Sequence, residues 1–224
     1  VYAAWGYDEN NNGTADVLET YTLTYDLNGG SGDAPAKVTG VAKNTEVKLT
    51  EEKNFTRNSN EVFVGWSVTK HEAALTAETK QEDLEKFLIA PGATYRIGTK
   101  DVTLYAVWAA DRNGNNTADY LEKHKLTYNG NAQQGGTVSA APTDNNIYIP
   151  GDKAELSKDI PTHSNVDGKK VVFIGWTETQ RNSIFSRADK APTTTTKVTF
   201  GPADKKVYAA WGYDENNNGT ADVL

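Results

Sequence analysis

Alternation of hydrophobic and polar residues predicts three main strands in the first half of the chain. In residues 21–27 every second side chain is Tyr or Leu, which is the period of a half-buried strand. A strong turn signal, Asn-Gly-Gly at 28–30, ends this strand. Residues 62–68 are apolar on both faces and predict a central strand, and residues 102–108 predict a strand that closes the module.

Shorter patterns fill the intervals between these strands. Residues 45–49 predict a short strand. In residues 81–88 the apolar positions have helical spacing, with acidic residues early and Lys late, so a helix is predicted that Pro91 and Gly92 end. Gly65 lies inside the 62–68 strand, where a residue without a side chain predicts that another group packs closely over it.

The pattern repeats at a fixed distance along the chain. Trp108 follows Trp5 by 103 residues, and Trp211 follows Trp108 by another 103. Residues 207–224 are identical, letter for letter, to residues 1–18. A constant period of this kind indicates a tandem array with one structural unit per period. The strand patterns recur at residues 125–128, 171–176 and 207–211.

The two modules differ in where their extra residues lie. Phe173 follows Phe63 by 110 residues, seven more than the period. The second module therefore has seven extra residues before its apolar strand and seven fewer after it. Its helical stretch is predicted to shrink to a turn or two at 182–190, followed by loop or extended strand at 193–196.

Runs of strands with one helical segment predict an α+β, β-rich fold with two tandem modules. Recurring Trp and Tyr residues at strand positions are interpreted as core residues, with a ligand-stacking surface as the alternative. The predicted divisions are a closing strand of a preceding repeat with its acidic loop (1–19), module 1 (20–110), an acidic linker loop (111–122), module 2 (123–212) and the start of the next acidic loop (213–224).

Residues 1–5 predict a strand of their own, because they repeat the closing strand of each module. This strand would expose apolar side chains and unpaired backbone groups, so it is expected to pair with a neighbouring module edge, of this or another chain. The chain contains no Met and begins and ends on the same repeat element, which predicts an internal fragment of a longer protein.

Composition excludes several classes of function. The 224 residues contain 23 Lys and Arg against 30 Asp and Glu, a net charge of −7, so binding to nucleic acid is not expected. Cys is absent, which excludes disulfides and Cys-based metal or redox sites. No apolar run approaches the roughly 20 residues of a membrane span.

An acidic, Asn-rich loop follows each closing strand, with the ligand spacing of an EF-hand calcium loop. Calcium takes six to eight oxygen ligands, Gly at position 6 permits the sharp bend, and Glu at position 12 supplies two oxygens. Gly13 and Gly219 occupy position 6 of the first and third loops, and Asn116, a residue that tolerates left-handed backbone, occupies it in the second. The third loop stops before position 12. The predicted calcium ligands are Asp8, Asn10, Asn12, Thr14, Asp16, Glu19, Asp111, Asn113, Asn115, Thr117, Asp119, Glu122, Asp214, Asn216, Asn218, Thr220 and Asp222.

Two interpretations of these loops stay open. A strand, not a helix, precedes each loop, and each full loop has three carboxylates, which predicts weak binding at about 10⁻⁴–10⁻³ M. The alternative is a solvated linker whose Asp and Asn side chains cap its own turns. If calcium binds, it would fix the angle between modules and convert a flexible array of modules into a stiff rod.

Three stretches together resemble a known family. They are Tyr-Thr-Leu-Thr-Tyr-Asp-Leu-Asn-Gly-Gly at 21–30, Phe-Val-Gly-Trp at 63–66 and Val-Thr-Leu-Tyr-Ala-Val-Trp at 102–108. In this order they resemble the Listeria–Bacteroides repeat, the B-repeat of internalin B. The second module departs at its first turn, where Asn-Gly-Gly becomes Asn-Gly-Asn at 129–131. The resemblance implies a small β-grasp-like, ubiquitin-like fold, tandem copies in bacterial surface-anchored or secreted proteins, and no catalytic residues.

The sequence therefore favours a non-enzymatic, extracellular protein. His71, His124 and His163 are scattered among polar residues and are interpreted as solvated surface rather than a shared metal or catalytic site. The first hypothesis is a stalk whose partners are neighbouring repeats. The alternative is an adhesin that binds a host surface protein or glycan, which predicts an exposed aromatic or apolar patch on one module.

Overall fold

The computed structural model describes residues 1–9 and 11–224. The chain forms two compact units, Val1–Leu121 and Glu122–Leu224. The predicted modules 20–110 and 123–212 each lie within one unit, and the predicted linker loop 111–122 is divided between them after Leu121.

The first unit contains eight strands among its described residues. They are β1 (Thr20–Asp26), β2 (Ser31–Gly32), β3 (Val38–Ala42), β4 (Glu46–Lys48), β5 (Phe55–Thr56), β6 (Glu61–Ser67), β7 (Thr94–Arg96) and β8 (Val102–Ala110). The main sheet has the order β3-β1-β8-β6, in which the first and last strands of the unit, β1 and β8, are parallel neighbours. Two short antiparallel ladders, β2–β5 and β4–β7, complete the unit.

The second unit repeats part of this topology with fewer strands among its described residues. Its strands are β9 (Leu126–Asn129), β10 (Lys153–Glu155), β11 (Val171–Thr177), β12 (Lys197–Thr199) and β13 (Lys205–Tyr213). The sheet order is β11-β13-β9, with β9 parallel and β11 antiparallel to β13. A separate antiparallel ladder joins β10 and β12. The strands predicted from alternation in both modules are confirmed.

Aromatic side chains fill the core of each unit. In the first unit Trp66 and Trp108 are at most 1% exposed, and Phe63 lies between them with ring centroids 4.9 and 6.0 Å away. Phe173 contacts Trp176 and Trp211 at 5.1 and 5.8 Å in the second unit. The interpretation of the strand aromatics as core residues is confirmed at these four tryptophans, and each buried ring stabilises its unit by about 2–3 kcal/mol.

The helical content is lower than predicted, and the chain is β-rich. The helix predicted over 81–88 is one turn, α1 (Gln81–Leu84), and the other helical residues in the described part of the chain are 3₁₀ turns at Asp16–Leu18 and Asp119–Leu121. The helix ends early because Ile89 turns back to the sheet, where its N–H and C=O both bond to Trp66 at 2.8 Å. No helix forms at 182–190, where the structure has bends, a turn and an isolated bridge from Phe185 to Gly212.

The strand at 62–68 was predicted to be central, and this prediction is wrong, because the strand lies at the sheet edge. The centre is taken by β8, because that strand pairs with β1 on one side and β6 on the other. The prediction about Gly65 is confirmed, since a Cβ there would lie 2.6 Å from the Ile89 carbonyl oxygen. The Ile89 backbone thus covers the edge that β6 would otherwise expose.

The first turn of the second module was aligned wrongly from the sequence. Asn28 and Gly29 form the predicted turn with φ of +51° and +84°. In the second unit Asn129 ends β9, and Asn131, with φ of +50°, takes the place of Asn28. The side-chain hydrogen bonds of Asn131 match those of Asn28 and establish this equivalence, which the residue types alone did not reveal.

Two further predictions are wrong. Residues 1–5 form no strand, because no described residue pairs with them, and Trp5 is 93% exposed. His163 is buried, with its Nε2 accepting the Gln133 N–H at 3.1 Å, and the other two histidines are half-buried. The ring of His163 contacts Trp211 at 5.0 Å, as Phe55 contacts Trp108 at 6.0 Å in the first unit. His163 therefore fills a core position that an aromatic residue fills in the other unit.

Candidate functional site

The first Asp of each acidic loop caps the backbone of its own loop. In the third loop Asp214 accepts the N–H groups of Asn218 at 3.0 Å and Gly219 at 2.9 Å. Asp8 accepts from Asn12 and Gly13 at 3.0 and 2.9 Å, and Asp111 accepts from Asn115 and Asn116 at 3.1 and 2.9 Å. Both carboxylate oxygens at position 1 thus stabilise the turn that follows.

The Asn residues at positions 3 and 5 make further turns of the same kind. Oδ1 at position 5 accepts the N–H of position 7 at 2.8 Å in each loop, from Thr14, Thr117 and Thr220. At position 3, Asn113 and Asn216 accept the N–H two residues later at 3.2 and 3.0 Å. The corresponding ligand of the first loop, Asn10, lies outside the described residues.

The Asp at position 9 closes each loop onto its beginning. It accepts the N–H of position 2, at 3.2 Å from Glu9 to Asp16, 3.0 Å from Arg112 to Asp119 and 2.9 Å from Glu215 to Asp222. The predicted alternate positions are therefore brought together by hydrogen bonds. One oxygen remains apart: Asp222 Oδ1 is buried and accepts no hydrogen bond from any described residue.

Left-handed backbone at position 6 is confirmed in all three loops. Gly13, Asn116 and Gly219 have φ of +85°, +65° and +88°. Asn replaces Gly at this position without loss of the turn, as its tolerance of this region predicts. Position 4 is also left-handed, which the sequence analysis missed, with φ of +58° at Asn11, +70° at Gly114 and +56° at Asn217.

Basic side chains neutralise two of the buried loop carboxylates. Lys170 Nζ lies 2.7 Å from Asp214 Oδ2, and Arg112 Nε lies 2.7 Å from Asp119 Oδ2. Asp214 and Asp119 are 0% and 1% exposed. The Lys170 ammonium, helped by the two backbone N–H groups, holds the pKa of Asp214 below its usual value. Neither basic partner was predicted, because Lys170 lies 44 residues before Asp214 and Arg112 occupies position 2 of its loop, where the calcium pattern has no ligand.

The Glu residues at position 12 differ between the two full loops. Glu19 accepts bonds from the Asn12 side-chain amide at 2.7 Å and from the Tyr21 hydroxyl. The bond to this carboxylate raises the pKa of Tyr21 to about 12. Glu122 is the first residue of the second unit, whereas the other ligands predicted for its loop belong to the first.

These contacts show that the loops fold through their own side chains. Among residues 1–9 and 11–224, no group of three or more His, Cys, Asp or Glu side chains is arranged to hold a metal ion. Within the same residues no helix has the length and apolar character needed to cross a membrane. The turn-capping role is visible in the hydrogen bonds, and calcium binding stays a prediction.

Outside the loops, a buried amide recurs at the repeat period. Asn28 Nδ2 donates to the carbonyl oxygens of His71 at 2.6 Å and Ala106 at 2.9 Å. Asn131 Nδ2 makes the same pair of bonds, to Arg181 and Ala209, both at 2.9 Å. The 103-residue separation of Asn28 and Asn131 could have predicted this equivalence, but the sequence analysis aligned the turn at Asn129 instead.

A cleft of about 580 Å³ lies in the second unit. It lies beside β11 and is lined by apolar side chains that include Ile160, Phe173 and Ile174. In the first unit the equivalent strand is covered by Leu88 and Ile89, which approach Gly65. The second module has seven fewer residues here, and the shorter side chain of Thr194 approaches Gly175, while the Thr195 N–H bonds to the Trp176 carbonyl oxygen at 2.9 Å. Ile160 stays 64% exposed.

Comparisons with known proteins add one loose likeness. No protein-family model matches the chain, so the resemblance to the Listeria–Bacteroides repeat is not confirmed in this way, and no curated protein matches it. Among solved structures, the Streptococcal High Identity Repeats in Tandem (SHIRT) domains 3-4 from a cell surface protein align at 12% identity with a TM-score of 0.33. The alignment covers 87% of this chain and 98% of that chain. A superposition this loose does not establish a shared fold.

Proposed function

We propose that the chain is a non-catalytic stalk segment of a bacterial cell-surface or secreted protein, built from tandem β-rich modules. The observation that carries the proposal is the repetition of one scaffold. Trp108 Nε1 donates to Leu27 O at 3.0 Å, and 103 residues later Trp211 Nε1 donates to Gly130 O at 2.9 Å. A spacer needs its framework repeated, whereas an enzyme needs one distinctive site.

The bacterial surface location rests on the resemblance carried by residues 21–30, 63–66 and 102–108. The proposal extends to a β-grasp-like fold for each module. It is supported by the parallel pairing of first and last strands, β1 with β8 and β9 with β13. Neighbouring repeats of the same protein are the proposed partners.

We further propose that calcium binds the acidic loops and stiffens the stalk at its module boundaries. The ligands are those predicted from the spacing, and the left-handed backbone at position 6 and the free oxygen Asp222 Oδ1 support the proposal. Calcium would add a cross-link to loops already held by Asx turns. Because Lys170 and Arg112 partly neutralise Asp214 and Asp119, affinity is expected at the weak end, about 10⁻³ M.

A thermal melt paired with small-angle scattering tests the stalk and its calcium. In a few millimolar calcium the melting temperature and the maximum particle dimension should exceed those in EDTA. The control is Asp16→Asn/Asp119→Asn/Asp222→Asn, which removes one predicted ligand carboxylate from each of the three loops and should abolish both differences. If calcium changes neither observable in the unaltered chain, the loops are linkers without a metal role.

The cleft of the second unit favours an adhesin as the second candidate function. An exposed apolar site is what a binding role predicts and a plain spacer does not require. Immobilised host matrix proteins and a glycan array would be tested with the full chain. Ile160→Asp should abolish any binding at the cleft, and Val68→Asp, at a half-exposed apolar residue of the first unit, should not.

A further inference from the structure

The edge strand β11 of the second unit is less completely covered than its counterpart β6. In the first unit Phe63 is 5% exposed and Gly65 is buried, whereas Phe173 and Gly175 at the equivalent positions are half-buried. Ile160, which lines the cleft beside β11, is largely exposed. The volume of that cleft, about 580 Å³, is within the range of ligand-binding pockets.

The first unit shows what covers this surface when the chain supplies the cover itself. We call residues 81–89 the lid segment. Its Leu88 side chain comes within 2.9 Å of the position that a Cβ at Gly65 would take. In the second unit the side chain that approaches Gly175 is that of Thr194. A hydroxyl-bearing side chain therefore stands where the first unit has a longer aliphatic one, and less apolar surface is covered.

The backbone at this edge is paired in both units. Ile89 N–H donates to the Trp66 carbonyl oxygen at 2.8 Å, and Thr195 N–H donates to the Trp176 carbonyl oxygen at 2.9 Å. A partner that binds here is therefore offered a site for a side chain, beside Ile160, rather than an open strand edge to extend.

The segment that carries Ile160 also differs in character between the units. Ile160 lies three residues before His163, and Glu52 lies three residues before Phe55, which contacts the equivalent tryptophan. The fold thus accepts a charged residue at this position. An exposed isoleucine there adds to an apolar surface, which is the character of a binding site.

The charged residues of the cleft favour a carboxylate beside the inserted side chain. Glu155 and Lys158 are the charged members of its lining. Glu155 is paired with Lys197 at 3.7 Å, whereas no carboxylate in the described part of the chain forms an ion pair with the exposed Lys158. The free charge on the lining is therefore positive, and it is complementary to an acidic partner.

The lid segment of the first unit combines these two properties. Its apolar side chains are buried or half-buried, and they are Leu84, Phe87, Leu88 and Ile89. Its acidic side chains are exposed, and they are Glu82, Asp83 and Glu85. The chain thus contains an example of an acidic, aliphatic segment that covers this surface.

We propose that the cleft of the second unit binds a short segment of a partner protein in which an aliphatic side chain stands next to acidic residues. The aliphatic side chain packs between Ile160 and Ile174, and a neighbouring carboxylate pairs with Lys158. Burial of the aliphatic side chain supplies most of the affinity, and the ion pair supplies selectivity. The proposal rests on the second candidate function, the adhesin, and gives the chemical class of its ligand.

A synthetic peptide with the sequence of the lid segment is the probe, titrated into the full isotope-labelled chain and followed by NMR. The amide signals of Ile160, Ile174 and Thr195 should shift. Those of Gly65 and Trp66 should not, because the chain's own lid segment covers them. The same peptide carrying Leu88→Asp/Ile89→Asp should cause no shift.

Two variants of the chain test the apolar part of the site. Thr194→Leu supplies the aliphatic side chain from the chain itself and should weaken peptide binding by about tenfold or more. Ile160→Asp should weaken it to a similar extent. Val68→Asp, at a half-exposed apolar residue of the first unit, is the matched control and should leave the affinity unchanged.

A third variant tests the charge. Lys158→Gln should weaken binding by about threefold, the range of an exposed ion pair. The peptide carrying Glu82→Gln/Asp83→Asn/Glu85→Gln should lose the same factor, and the two changes together should lose no more than either alone, because they remove one interaction. Asp159→Asn changes a charge next in sequence that does not line the cleft, and it should have no effect.

Three results would overturn the proposal. They are the absence of shifts at the cleft with millimolar peptide, shifts confined to Gly65 and Trp66, and equal affinity in the unaltered chain and Thr194→Leu. The outcome is separate from that of the host-protein screen. If the peptide binds and no host protein does, the adhesin fails and the ligand class of the cleft stands. A host protein that binds Ile160→Asp equally well would leave the adhesin standing and overturn the cleft as its site.

Discussion

The side-chain amide of Asn28 donates a hydrogen bond to the carbonyl oxygen of Ala106 at 2.9 Å and so ties the first turn of the unit to its last strand. Its second bond, to the His71 carbonyl, ties the same turn to the segment after β6. Asn131 does the same in the second unit. A residue that is 4% exposed thus joins three parts of the chain that are far apart in sequence.

Asn28→Gly should destabilise the first unit by about 2 kcal/mol, because two buried carbonyl groups lose their donor. Gly is the appropriate substitution, since it accepts the φ of +51° that Ala would strain. Asn131→Gly should have the same effect on the second unit. Denaturant unfolding of the full chain gives both values. Asn145→Gly, at an exposed Asn, should cost under about 0.5 kcal/mol, and equal losses at all three positions would contradict the role of the amide.

Gly65→Ala should destabilise more than Gly175→Ala, although the two glycines are equivalent. A Cβ at Gly65 would meet the Ile89 carbonyl oxygen at 2.6 Å, and that backbone is fixed by its bonds to Trp66. At Gly175 the nearest atoms are Thr194 Cγ2 at 2.5 Å and Thr194 Cβ at 2.8 Å. Rotation of this exposed side chain relieves the first contact, and a small shift of the residue relieves the second. We expect a loss of about 2 kcal/mol at Gly65 and less than half of that at Gly175. Thermal unfolding of the two variants side by side measures the difference, and the reverse order would contradict this account.

The sequence predicted what depends on local pattern. Alternation located β1, β6, β8, β9, β11 and β13, and the left-handed residue at position 6 of each loop followed from residue type. These features need only period and backbone preference.

What the sequence did not predict depends on partners distant in the chain. Trp5 and Trp211 lie in identical segments and have opposite exposure, so the local sequence does not predict which of them is buried. The predicted helix over 81–88 was longer than the observed one because Ile89 pairs with Trp66. The ion pair of Lys170 with Asp214 could not be predicted without the fold, which brings the two residues together. Sheet order likewise follows from the parallel pair that places β8 at the centre.

Acid should weaken the second unit partly through Asp214. Its pKa is lower in the folded chain than in the unfolded one, mainly because of Lys170, so its stabilising contribution is complete above the unfolded value of about 3.9. The contribution is lost as the pH falls through the folded pKa. Asp214→Asn should flatten the decline in unfolding free energy below about pH 4. Asp159→Asn, at an exposed Asp, should leave the decline unchanged, and an equal slope in all three proteins would contradict the assignment.

The most direct test of the stalk is the distance distribution between its two units. The chain has no Cys, so Lys48→Cys/Lys153→Cys carries two spin labels only, one at an exposed site on each unit. Double electron–electron resonance should give one narrow distribution in millimolar calcium and a broader one in EDTA. A broad distribution in both solutions would show that the units move independently, and it would contradict a stalk stiffened at its loops.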